Sequence, residues 1–66
     1  MTAHELRRKE LLQTLADQVR LDITNVVFAL TEMSWQDERC WKLRRALNLK
    51  VGKLVRIERK LRHYSA

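Results

Sequence analysis

Arg45, Arg56 and Arg59 fall on one side of a helical projection together with Trp41, and Lys53 and Lys60 flank them. Guanidinium forks bind phosphate oxygens two at a time, and an indole face can stack on a base. These residue types in a row suit a polyanion: a nucleic-acid backbone first, an acidic protein surface as the alternative. A merely solvated helix face mixes the two signs, yet Glu58 is the only acid after Glu38. Asn48, Gly52 and His63 share the face, and Gly52 has no side chain to hold a backbone or ligand away. The expected contact residues are therefore Trp41, Arg45, Lys53, Arg56, Arg59 and Lys60.

Other chemistry finds little support. Cys40 is the only cysteine, so no disulfide forms within the chain. His4 and His63 are the only histidines, and neither stands at metal-ligand spacing from Cys40. There is no Gly-rich phosphate loop and no Ser, His, Asp set. A catalytic carboxylate would need a pocket that 66 residues have little room to build. The expectation is a protein that is not an enzyme, with no catalytic residue, no metal and no cofactor. Cys40 lies on an apolar stripe and reads as a buried structural thiol rather than a reactive one.

The charge is uneven. Residues 1–34 hold four Lys or Arg against five Asp or Glu, whereas residues 35–66 hold ten against three. The net +6 thus belongs to the second half. Cations near a helix C-terminus complement its dipole; that accounts for Lys60 and Arg62 but not for Lys42, Arg44 and Arg45. The longest apolar run, Val26 to Leu30, is far short of a bilayer span. No targeting pattern precedes it. A lone cysteine fits a reducing, cytoplasmic setting.

These side chains must be positioned by helices. There is no proline, one glycine, and no cluster of turn residues of the kind β structure needs. Thr2 followed by Glu5 has the form of a helix-start capping box, and Ser34 followed by Asp37 and Glu38 is a second start signal. Leu12, Leu15, Ala16, Val19, Ile23, Val26, Val27, Leu30 and Met33 make one apolar stripe at helical spacing. Cys40, Leu43, Ala46, Leu47, Leu54, Ile57, Leu61 and Tyr64 make another, interrupted only by Lys50 and Glu58. Glu58 would pair with Lys50 or with a cation of the other arm. The fold class is all-α. Residues 1–66 form a single helical domain, a long hairpin with arms near 3–33 and 35–64 and a turn at 33–35.

Two places weaken that reading. Leu21 to Asn25 is poor helix sequence, with β-branched residues and side chains that compete for backbone hydrogen bonds, so the first arm is expected to kink there. The stretch LNLKVGKLVRIER (47–59) resembles the turn and second helix of a helix-turn-helix DNA-binding unit, with Asn48 where the turn usually has glycine. That resemblance implies a break near Asn48 and, as the alternative fold, a compact three- or four-helix domain.

Leu21 and Phe28, seven residues apart, lie off the main stripe, as does Trp35. Large apolar residues on an outer face mark a partner surface. They are read as an interface, most simply of a homodimer that pairs two hairpins into a four-helix bundle. The function expected is that of a small basic regulatory or accessory protein that binds DNA or RNA, with an adaptor or inhibitor on an acidic protein surface as the alternative and no membrane role.

Overall fold

The backbone at Thr2 is extended, and its hydroxyl accepts the Glu5 N–H at 3.2 Å. This satisfies one of the N–H groups that a helix start leaves open. Helix α1 then runs unbroken over Ala3–Glu32, and helix α2 covers Glu38–Arg62. The two pack antiparallel as a hairpin. This computed structural model describes residues 2–64, and no strand occurs among them.

The second start signal is used one turn later than expected. Ser34 does not cap a helix. Its carbonyl accepts the Asp37 N–H at 3.0 Å and its hydroxyl accepts the Gln36 N–H at 3.4 Å, which closes a turn. Asp37 is the cap, accepting the Arg39 N–H at 2.9 Å. The connection therefore spans residues 33–37, longer than the 33–35 expected, and Trp35 lies in it rather than in the second arm.

Neither arm is interrupted at 21–25 or near Asn48. Thr24 sits in the weak stretch of α1, yet its hydroxyl donates to the Arg20 carbonyl at 3.0 Å. It bonds back onto the helix instead of competing with it. Ile23, beside it, packs against the core. α2 passes straight through Asn48 and Gly52, and no described residue has a positive φ. The helix-turn-helix resemblance is thus not realised, because Leu47, Lys50 and Leu54 hold one continuous seam against α1.

That seam is narrower than the stripes. Lys9, Leu12, Ala16, Val19, Ile23, Val26, Leu30 and Met33 are buried or half-buried, in alternating steps of three and four residues. Cys40, Leu43, Leu47, Lys50, Leu54, Ile57, Leu61 and Tyr64 repeat the pattern on α2. This is the contact line of two helices meeting along one edge each. Ala16, Val19 and Ile57 form its central buried cluster, with Leu12, Ile23, Leu54 and Leu61 around them. Leu15 and Val27, which the first stripe includes, are each 43% exposed. One neighbouring helix covers a seam but not its flanks.

The result is a rod of 51 × 14 × 14 Å with a radius of gyration of 15.3 Å. A compact domain of this length would measure about 11 Å. No described helix is long and apolar enough to cross a membrane.

Candidate nucleic-acid interface

Two of the three acids in the second half, Asp37 and Glu58, are held by Arg39 and Arg20. Asp37 is held by Arg39, with Nη2 to Oδ2 at 2.9 Å. The Arg39 side chain, with its backbone N–H second, keeps the Asp37 carboxyl below the ordinary value of 3.8. The same contact raises Arg39. Glu58, the lone acid of the basic half of α2, accepts from Arg20 of α1 at 3.3 Å. Arg20 also reaches Asp17 at 3.0 Å. Lys50 extends from the seam to Asp22, 3.6 Å away. Among the described residues, Lys42, Arg44, Arg45, Lys53, Arg56, Arg59, Lys60 and Arg62 have no carboxylate partner.

The hairpin register sorts the expected contact residues onto three sides. Arg45, Gly52 and Arg59 recur at seven-residue intervals on the back of α2, away from α1. Lys53, Arg56 and Lys60 line one flank, around a shallow groove floored by Leu12, Leu15 and Ile57. Trp41 lies on the other flank, which Arg20 and Glu58 mark by their ion pair. Five of the six thus form one continuous surface of back and flank, and Trp41 stands apart from it, 57% exposed. Arg56 folds toward its own helix, its Nε donating to the Gly52 carbonyl at 3.4 Å.

One residue joins the surface that sequence reasoning missed. Arg8 of α1 lines a groove with Lys60, His63, Tyr64, Leu12 and Glu5 at the open end of the hairpin. It occupies the same seam-flanking position as Leu15, one heptad earlier. Only the pairing register of the two arms brings it beside Lys60.

The expected interface residues are bare. Leu21 is 62%, Phe28 64% and Trp35 78% exposed. Leu21 and Phe28 lie on the back of α1, while Trp35 shares a groove with Val27, Leu30, Met33 and Arg44. Cys40 is buried on the seam, as its place in the stripe implied. Among the described residues no group of His, Cys, Asp or Glu could hold a metal ion.

The arrangement can place several fixed-position cations against an extended anion along a face tens of ångströms long. No protein-family model, no curated protein and no solved structure matches the chain.

Proposed function

We propose that the chain is a small regulatory or accessory protein that binds nucleic acid, not an enzyme, through the back and the Lys60 flank of α2. The observation that carries this reading is the set of unpaired cations on α2, which outnumber the acids beside them, two of which, Asp37 and Glu58, are held by Arg39 and Arg20. A nucleic-acid backbone supplies the missing anions at regular intervals, and counterion release drives the contact. Phosphate contacts fix register without reading sequence, so DNA and RNA should both bind, with little base discrimination.

The test replaces Arg45, Arg56 and Arg59 together by glutamate. All three are exposed and off the seam, so stability should shift by only about 0.5 kcal/mol at each site. Binding to duplex DNA and to RNA, read by fluorescence anisotropy, should collapse. In the parent, about six neutralised phosphates give a log–log salt slope near −5 on a duplex. A folded triple variant that binds like the parent overturns the reading.

A second reading has its own observation. Leu12, Leu15 and Ile57 floor the groove that Lys53, Arg56 and Lys60 rim, and an acidic amphipathic helix would match both chemistries. Partners captured from lysate that survive nuclease treatment favour this adaptor or inhibitor role. Pairing of two hairpins into a four-helix bundle belongs to the proposal too, since large apolar side chains remain outside the two-helix seam.

A further inference from the structure

The flank opposite Lys60 differs from the rest of the surface. Val27 and Val51 are each 43% exposed and Val55 42%. Thr24, Thr31 and Asn48 fill the places between them. No charge interrupts this middle stretch. Arg44 bounds it toward the turn, in the groove it shares with Trp35 and Val27. The Arg20–Glu58 pair bounds it toward the open end.

Along α2 the boundary residues are symmetric. Arg44, Val51 and Glu58 occupy the same seam-flanking position in successive heptads. Arg44 and Glu58 therefore stand about 10 Å to either side of Val51. Trp41, Asn48, Val55 and Arg62 form the next row outward and have nearly the same centre. A row that reads cation, valine, anion is complementary to its own reverse: Arg20 is shared between Asp17 and Oε1 of Glu58, which leaves Glu58 Oε2 to accept from the partner's Arg44. A row with an indole at one end and a guanidinium at the other is complementary to its reverse too.

We propose that a second copy of this chain packs antiparallel on the Val27, Val51 and Val55 flank, about a two-fold axis at Val51. This sets Arg44 of each chain against the partner's Glu58, and Trp41 against the partner's Arg62. The inference rests on the four-helix pairing and names its surface.

Area supports a second copy as the occupant. The hairpin exposes 5652 Å². A compact monomer of 7.9 kDa would expose about 4,400 Å². The excess is larger than the roughly 800 Å² each partner gives to a standard interface. Charge favours this flank over the Lys60 flank. Each chain carries +6, and the arrangement leaves Lys53, Arg56 and Lys60 of the two copies on opposite outer sides.

The experiment combines sedimentation with single-cysteine crosslinking of the full chain. The parent should sediment as two chains at micromolar concentration. Val51→Cys should crosslink to itself under mild oxidation, because a residue on the axis meets its own copy. Gln18→Cys, exposed on the other flank, should not, and the parent with its buried Cys40 serves as the blank. Arg44→Glu should raise the dimer dissociation constant by about a hundredfold, since it opposes like charges at two symmetric contacts. The charge swap Arg44→Glu with Glu58→Arg should recover most of that loss. A monomer at every concentration overturns both the pairing and this surface. A dimer that crosslinks through Gln18→Cys, or ignores Arg44→Glu, keeps the pairing and overturns the surface. Neither outcome depends on whether nucleic acid binds.

Discussion

Gly52 has the lowest helix propensity of any residue within the two helices. It lies inside α2 in ordinary helical geometry, and a methyl group built there would meet nothing within 4 Å. Glycine in a helix interior costs roughly 0.5–1 kcal/mol relative to alanine, largely through the freedom of the unfolded chain. Gly52→Ala should therefore raise the urea midpoint by an amount equivalent to about that energy, with the slope unchanged. If a phosphate backbone comes close at this gap, the same variant should bind duplex DNA more weakly while being more stable. A lower midpoint would show that α2 does not hold its helical form there. Side-chain pairings were the least legible features at this scale. Lys50 and Glu58 both interrupt the second stripe, and Glu58 had two candidate partners, Lys50 and a cation of the other arm; eight residues, about 12 Å along the helix, rule out the first. Their partners, Asp22 and Arg20, come from α1, and only the register of the arms reveals them.

Both helices were legible as elements because their stripes hold one period throughout, and a long periodic signal outweighs local weakness. Thr24 and Asn48 weaken the propensity of single turns, but the seam on either side fixes the helix regardless. The helix start after the turn was less legible. Ser34 and Asp37 are both good caps, three residues apart, and propensity does not choose between them. Asp37 prevails because Arg39 can hold its carboxylate by side chain and backbone together. This has a pH signature. The Asp37 pKa is depressed in the folded chain, so its stabilisation is fully present above the unfolded value. It is lost as the pH falls below 3.8 and through the folded value. Asn in its place keeps the capping oxygen but not the charge. The advantage of the parent over Asp37→Asn should thus be constant above about pH 5 and shrink toward zero in strong acid. Melts followed by circular dichroism at several pH values measure the difference. A gap that persists undiminished near pH 2 would show that the Arg39 contact does not stabilise the start of α2.

For the whole molecule, the sequence revealed an all-helical hairpin but not its registry, and the surface depends on the registry. A helical projection of α2 alone puts Trp41 and the arginines on one outward side. Pairing with α1 divides that side into a back and two flanks, separates Trp41 from Lys53 and Lys60, and adds Arg8. The flank assignments carry a consequence for how the molecule acts on nucleic acid. If two hairpins meet on the Val51 flank, the cationic flanks face away from each other, separated by roughly twice the 14 Å thickness of one rod. That gap exceeds the Debye length of about 8 Å at physiological ionic strength, so two bound duplexes would repel each other only weakly. One dimer should then join two duplexes. Mixing the protein with two duplexes, one biotinylated and one fluorescent, should carry fluorescence onto streptavidin beads. Val51→Glu places two carboxylates against each other on the two-fold axis and should abolish this transfer. Because Val51 lies on neither the back nor the Lys60 flank, each separated hairpin should still bind a single duplex. Transfer that survives Val51→Glu would mean that one hairpin joins duplexes by itself, using its back and its flank separately. Binding without transfer in the parent would mean that the two cationic faces do not act from opposite sides of one assembly.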